Sequence, residues 1–261
     1  MAKTIDISVD GRGVATLTLA REDKHNALSA QMIAELTEAA GRLGSDPAVR
    51  VVVLTGAGRS FCAGGDLAWM KEQMGADAGT RGREARKLAE MLGVLDRMPK
   101  PLIGRVQGQA FGGGIGMMSV CDVAVGVEGA KFGLTETRLG LIPATIGPYV
   151  VARMGAGRAR RVFMSARIFG AAEAVDLGLL AKAVPAEDLD AAIEAEVAPY
   201  LNCAPGAVAK AKALVAALEP RVNDAVVDMT IAALVDAWES DEGPEGVSAF
   251  FDKRKPRWQQ S

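Results

Sequence analysis

Residues 49–54 read Val-Arg-Val-Val-Val-Leu and leave few folds open to the chain. The run is β-branched and almost free of polar alternation, the pattern of a strand buried on both faces in a parallel sheet. A parallel strand cannot return through a tight hairpin; it needs a long crossover, usually a helix. The sequence supplies one. Ala85, Leu88, Ala89, Leu92 and Leu95 recur at helical spacing over about 83–97, and Pro99 and Pro101 end the pattern. Leu102 to Val106 reads as the next strand, Ile115 to Val120 as a buried helix opened by Gly112-Gly113-Gly114, and Val123 to Val127 as a further strand. Strand and helix alternate through 49–127, which predicts an α/β architecture with right-handed crossovers.

The flanks fit around this centre. Ile5, Ile7 and Val9 share one face, and Val14, Leu17 and Leu19 form a second run past Gly11-Arg12-Gly13, so two strands joined by a glycine turn are predicted. Ser29 is placed to cap a helix whose stripe is Met32, Ile33, Leu36, Ala39, Ala40 and Leu43. Residues 71–82 are polar with little periodicity and read as a loop or a mobile surface helix. Beyond Pro143 the pattern is helical, over 147–155, 158–165, 171–177, 187–200, 205–218, 225–238 and 244–251. A soft boundary falls near 185–200. No period of 20–50 residues marks a solenoid.

With 261 residues the chain suits one large domain or a core plus a small appendage. Its 30 Lys and Arg against 32 Asp and Glu give a net charge of -2, which argues against a nucleic-acid binder. Three cysteines cannot build a disulfide framework and suit a reducing compartment. The start, Met1-Ala2-Lys3-Thr4-Ile5-Asp6, turns polar at once, and no stretch approaches ~20 apolar residues. A cytoplasmic protein with no membrane partner is expected. The single histidine, His25, is the only one on which a Ser-His-Asp or Cys-His device could rest, and no local cluster offers a metal site. The proton carrier of an enzyme built this way is therefore expected to be a carboxylate, with no metal.

Two glycine loops each follow a strand: Phe61-Cys62-Ala63-Gly64-Gly65-Asp66-Leu67 and Gly108-Gln109-Ala110-Phe111-Gly112-Gly113-Gly114. Neither is a Walker loop or a dinucleotide fingerprint. They are either packing turns or an anion site, in which backbone N–H groups from both loops make an oxyanion hole. Glu136 precedes the apolar block Leu139-Gly140-Leu141-Ile142-Pro143. It is either desolvated and fit for general acid–base work, or a surface glutamate paired with Arg138. Asp66 and Asp122 read as helix caps or turn residues, His25 as a turn residue, and Cys62, Cys121 and Cys203 as core thiols. Trp69, Met70 and Met74 are a pocket wall or ordinary core. Lys253-Arg254-Lys255 is a solvated end or a phosphate clamp.

Six segments in order carry a resemblance over essentially the whole chain: His25-Asn26-Ala27-Leu28, the Phe61 to Leu67 loop, the Gly108 to Gly114 block, Cys121-Asp122, Phe132 to Pro143, and Phe251-Asp252-Lys253-Arg254-Lys255-Pro256. Together they resemble the crotonase superfamily, the enoyl-CoA hydratase/isomerase group. The resemblance implies a crotonase-like α/β spiral of ββα repeats with a C-terminal helical region, divided here as a core over 1–195 and a helical trimerisation region over 196–261. It implies a homo-trimer or dimer of trimers and an acyl-CoA thioester substrate, with no cofactor beyond that coenzyme A. Gly65 and Gly113 match the two positions whose N–H groups hold the thioester oxygen. Lys24, Ala27, Ala63, Asp66, Leu67 and Lys253 match the coenzyme A contacts, and Trp69, Met70, Gly116, Arg138 and Pro143 the acyl pocket.

Hydratases of this family typically carry two glutamates. Glu136 matches one; the other position holds Gly116. Residues 112–116 with 132–149 resemble bacterial hydratases of the methylglutaconyl-CoA and carboxygeranoyl-CoA type, from leucine or isoprenoid breakdown. That likeness implies water addition to a branched or carboxylated 2-enoyl-CoA, with the distal carboxylate near Arg138 or a nearby polar group. Two alternatives stand: a Δ3,Δ2-enoyl-CoA isomerase, for which one glutamate suffices, and a non-catalytic acyl-CoA-binding protein.

Overall fold

A computed structural model describes residues 3–218 and 222–259. Among the described residues ten strands form two sheets: β1 (Ile5–Val9), β2 (Val14–Leu19), β3 (Val51–Gly56), β4 (Ser60–Cys62), β5 (Leu102–Val106), β6 (Gln109–Phe111), β7 (Val123–Val127), β8 (Lys131–Gly133), β9 (Phe169–Gly170) and β10 (Lys182–Val184). The first sheet has the order β1-β2-β3-β5-β7-β10 and the second β4-β6-β8-β9. The helices are α1 (Ala30–Ser45), α2 (Leu67–Gly75), α3 (Ala78–Asp96), α4 (Gly113–Ser119), α5 (Gly147–Met154), α6 (Ala156–Phe163), α7 (Ala171–Asp176), α8 (Leu189–Leu201), α9 (Pro205–Leu218), α10 (Asp224–Glu239) and α11 (Glu242–Phe251).

The chain steps from one sheet to the other in a repeating way. It runs up β3, β5 or β7 in the first sheet, then turns at once into β4, β6 or β8 in the second. A helix follows β4 and another follows β6. This is the expected spiral of ββα units. Within the second sheet β4, β6 and β8 are neighbours and parallel, so their carboxyl ends lie side by side. Every residue of β3 is buried, as its unalternating sequence requires. β1 and β2 pair antiparallel and add an edge to the first sheet. The core between sheets and helices is filled by Leu17, Leu36, Leu54, Phe61, Met91, Leu92 and Phe132, all inaccessible to solvent.

Residues 71–82 take the helical one of their two expected forms, and the helix expected over 83–97 begins earlier. They are helical except for a short break: α2 runs to Gly75, and α3 starts at Ala78, several residues before the predicted 83. The reason is capping. Asp66 accepts hydrogen bonds from the Ala68 and Trp69 amides, and Asp77 from the Thr80 amide, so each helix has its own N-cap despite weak periodicity. The strands of the second sheet have two or three residues each, too short for an alternation to register.

The C-terminal helices close over this frame. α10 packs along α3, and α11 packs on the turn at 136–139. Arg81 of α3 pairs with Glu239 of α10, and its guanidinium lies 5.4 Å from the Trp238 ring centroid. Arg86 pairs with Asp228 across the same seam. Among the described residues no single helix is long and apolar enough to cross a membrane.

Candidate active site

The three adjacent strand ends of the second sheet deliver the two glycine loops and Glu136. β4 ends at Cys62 and leads to Gly64 and Gly65; β6 ends at Phe111 and leads to Gly112 and Gly113; β8 ends at Gly133 and leads to Glu136. Carboxyl ends of parallel strands are where open α/β folds place ligands. Neighbouring strands lie roughly 4.8 Å apart, so segments far apart in sequence converge here.

The first loop is held against residues 25–28. Ala63 N–H donates to His25 O at 3.0 Å, Leu28 N–H to Gly64 O at 2.7 Å, and Asp66 N–H to Leu28 O at 3.0 Å. Gly64 has φ +91°, and a Cβ there would meet Phe111 O at 2.9 Å, so only glycine lets the two loops touch. His25 and Asn26 both adopt positive φ, confirming His25 in a turn; its Nδ1 lies 3.0 Å from Ser60 Oγ. Arg21 clamps the assembly, donating to Ala27 O at 2.6 Å and pairing with Asp66 at 2.8 Å. Burial opposes ionisation of Asp66, but Arg21 and the two capping amides outweigh it and hold the carboxyl below the usual range.

The second loop turns at Gly112, whose φ of +46° and ψ of −115° set up the start of α4 at Gly113. Among the described residues neither the Gly65 nor the Gly113 amide donates to a protein acceptor. At Gly113 this follows from position, because the first N–H groups of a helix have no partner within it.

Glu136 completes the group. A Cβ on Gly112 would lie 2.9 Å from Glu136 Oε1, so the carboxylate rests directly against the glycine backbone. Glu136 Oε2 is buried and without a hydrogen-bond partner. Desolvation by this burial pushes the pKa from 4.5 up to about 7, outweighing a backbone hydrogen bond that lowers it. The alternative of a surface glutamate paired with Arg138 is excluded: Glu136 Oε2 is buried without a partner, and Arg138 is exposed.

Gly65, Gly113 and Glu136 line one cavity of about 140 Å³, together with Trp69, Met70 and Pro143 as expected. The sequence did not single out Leu28, Ile33, Gln73, Arg81, Leu141, Ile146, Leu234 and Trp238, which also line it. For Gln73 a signal existed, since it follows Trp69 by four residues and so shares its helix face. For Leu234 and Trp238 there was none, because they arrive on α10.

Two pocket expectations are corrected. Arg138 does not line the cavity; it is exposed on the 136–139 turn. Gly116 is buried inside α4 and does not line the cavity either, because Ile146 covers it. Asp66, expected at coenzyme A, has its carboxylate engaged by the α2 cap and Arg21. Ala27 and Ala63 flank the paired segments, Leu67 is half exposed at the start of α2, and Lys24 and Lys253 are on the surface. Lys253 follows α11, whose Glu245 grips Arg254 at 2.8 Å. Asp122 serves structurally, accepting from the Leu102 amide and Lys212. Cys62 and Cys121 are buried core thiols, whereas Cys203 is exposed, against expectation, just beyond α8. Among the described residues no group of three or more His, Cys, Asp or Glu side chains is placed to hold a metal ion.

Comparison with known proteins agrees with this fold. A crystal structure of an enoyl-CoA hydratase from Shewanella pealeana is 37% identical, with a TM-score of 0.80, over 98% of this chain and 96% of that one. The crotonyl-CoA hydratase of Syntrophomonas wolfei is 32% identical over 93% of each chain. The mevalonyl-coenzyme A hydratase of Aspergillus fumigatus is 35% identical over 95% of this chain and 92% of its own. Residues 10–261 match the enoyl-CoA hydratase/isomerase family, and with a crotonase fold around its paired glycine loops the chain is an enzyme belonging to that family.

Proposed function

We propose that the protein adds water across the C2=C3 double bond of a 2-enoyl-CoA thioester. The observation that carries this is the meeting of the Gly65 and Gly113 backbones with Glu136 in a single cavity at three adjacent strand ends. In this reading the thioester oxygen accepts both glycine N–H groups. The charge that develops on it as oxygen bonds to C3 is then stabilised by donors already in place; losing one such donor costs about 3 kcal/mol.

Glu136 is the one carboxylate among the described residues lining the cavity, so it acts twice. Ionised, it takes a proton from water while the water oxygen bonds to C3 and the C2=C3 electron pair moves through C2 and C1 to the thioester oxygen. Protonated, it returns that proton to C2 as the enolate collapses. The product carries hydroxyl at C3 and hydrogen at C2, and Glu136 is again ionised. Nothing is oxidised or reduced overall, so no cofactor beyond the coenzyme A of the substrate is required. A pKa of about 7 suits a group that must be base and then acid near neutrality.

The acyl group in this proposal is short and branched or oxygenated, 3-methylglutaconyl-CoA from leucine breakdown being one example. The small cavity supports a short chain. Lys24 and Lys253 are the surface cations for the coenzyme A phosphates, and Ala27, Ala63, Asp66 and Leu67 flank the adenine side. The helices of 196–261 serve assembly into a trimer or dimer of trimers, supported by the exposed Leu214, Val215, Leu218 and Met229. The cytoplasm is the proposed compartment; the free thiols suit its reducing conditions.

The test is product analysis in 18O-labelled water over crotonyl-CoA, branched enoyl-CoAs and 3-methylglutaconyl-CoA. Labelled 3-hydroxyacyl-CoA is expected, with the branched, oxygenated substrate preferred. Equal hydration of crotonyl-CoA removes the substrate preference. The lone carboxylate also favours a second reading, a Δ3,Δ2-enoyl-CoA isomerase shuttling one proton between C4 and C2; a moved double bond without label would establish it. Binding without any turnover would leave an acyl-CoA carrier.

A further inference from the structure

Trp69 and Gln73 stand one turn apart on α2 and line the cavity with Gly65, Gly113 and Glu136. The Trp69 ring packs on the first glycine loop; a Cβ on Gly65 would lie 3.7 Å from its Cζ3. Gln73 is only 6% exposed. Trp69 Nε1 and Gln73 Oε1 are both buried, and neither has a hydrogen-bond partner. A buried indole N–H normally finds an acceptor, and each orphaned buried polar group costs about 1–3 kcal/mol. Here one donor and one acceptor lie unpaired on the same helix face. The surrounding wall is otherwise mainly apolar, with Leu28, Ile33, Leu141 and Ile146. Water addition as described above uses neither group.

Gln73 is also held in place. Arg81 Nε donates to Gln73 O at 2.9 Å and Arg81 Nη2 to Met74 O at 3.3 Å, while Glu239 takes the guanidinium charge. Arg81 therefore fixes the end of α2 and presents no uncompensated charge to the cavity.

We infer that Trp69 and Gln73 are specificity-determining residues that bind an oxygen function on the acyl chain, so that the protein selects an oxygenated enoyl-CoA over a hydrocarbon one. The inference rests on the acyl-CoA reading of the cavity. A hydroxyl satisfies both orphans at once, accepting from Trp69 Nε1–H and donating to Gln73 Oε1. A carboxylate accepts from Trp69 and, after a half-turn of the amide, from Gln73 Nε2. A hydrocarbon chain leaves both groups unpaired. Sites built to hydrogen-bond a substrate group reject analogues lacking it far more strongly than apolar pockets reject a missing methylene.

The test is equilibrium binding of saturated acyl-CoAs, which cannot be hydrated. Butanoyl- and pentanoyl-CoA are compared with 4-hydroxybutanoyl-, 5-hydroxypentanoyl-, succinyl- and glutaryl-CoA. The wild type is expected to bind at least one oxygenated ligand on the order of 100-fold more tightly than its hydrocarbon counterpart; whether hydroxyl or carboxylate wins identifies the group. Trp69→Phe and Gln73→Leu should each erase most of that preference, the oxygenated ligand binding more weakly and the hydrocarbon one, no longer facing an unpaired group, more tightly. Equal binding of both classes to the wild type overturns the inference and leaves the hydratase reading intact, and so does a preference that survives both substitutions. Failure of every acyl-CoA to bind overturns the acyl-CoA reading itself.

Discussion

Ile146 Cγ2 lies 2.5 Å from the point that a Cβ on Gly116 would occupy, with Ile146 Cβ at 2.9 Å. Any side chain at position 116 must therefore displace a buried isoleucine. The position to which the resemblance assigns a first glutamate is packed here against hydrocarbon. Gly116→Glu alone should destabilise the fold by several kcal/mol, through overpacking and an unpaired buried carboxylate. The double variant Gly116→Glu with Ile146→Ala should recover much of that loss. Urea denaturation of both variants measures the difference, and equal stability would show that Ile146 does not set the constraint.

Glu136→Gln should fold normally and bind acyl-CoA, but lose on the order of 10²–10⁴ in turnover, the usual contribution of general acid–base catalysis. In the wild type kcat/KM should rise with pH to a plateau, with a midpoint near the raised pKa of about 7, because the cycle begins with ionised Glu136. Stability runs the opposite way. The folded pKa lies above the unfolded value of 4.5, so the native state holds the extra proton between these pH values and loses stability as pH rises through them. Well above pH 7, Glu136→Gln should thus be more stable than wild type by about 3 kcal/mol, a difference absent below pH 4.5. Unfolding curves at pH 4 and pH 8 decide it.

Gly112→Ala should lose about 100-fold in activity or more, because its Cβ would press on Glu136 Oε1 and its φ of +46° is strained for any side chain. A stability loss of about 1–3 kcal/mol should accompany it. Gly157→Ala is the control: it lies in α6 with open space around its Cα, and should stabilise slightly at unchanged activity. Steady-state kinetics with thermal melts on the two variants separates local strain at the site from a general intolerance of alanine.

Asp66→Ala removes the α2 cap and the Arg21 partner together, and should cost about 1–3 kcal/mol while lowering activity, since Gly65 is the preceding residue. Asp66→Asn keeps a capping oxygen and should lose less. The folded pKa of Asp66 is depressed, so its stabilisation is present at neutral pH and fades as pH falls through that lowered value. The gap between wild type and Asp66→Asn should accordingly close in strong acid, which unfolding at pH 2 and pH 7 will reveal.

Arg138→Ala should change kcat/KM by less than about threefold on every enoyl-CoA, carboxylated ones included, because an exposed residue outside the cavity has no contact with the acyl chain to lose. A selective loss on carboxylated substrates would restore the role that the sequence suggested for it.

Much of this molecule is written locally. The unalternating run of β3, the stripe of α1 behind its Ser29 cap, and the glycines at 64 and 112 all declare themselves within a few residues. Such signals depend on dihedral limits and on which face meets water, and neighbours in sequence are enough to set them. The short strands of the second sheet, the covering of Gly116 by Ile146, the orphaned Trp69 and Gln73 atoms and the outward turn of Arg138 were not legible in this way. Each is decided by which side chain fills a given space once β4, β6 and β8 lie side by side and α10 closes over α3. Close packing joins residues many positions apart, and no local pattern records which of them will meet.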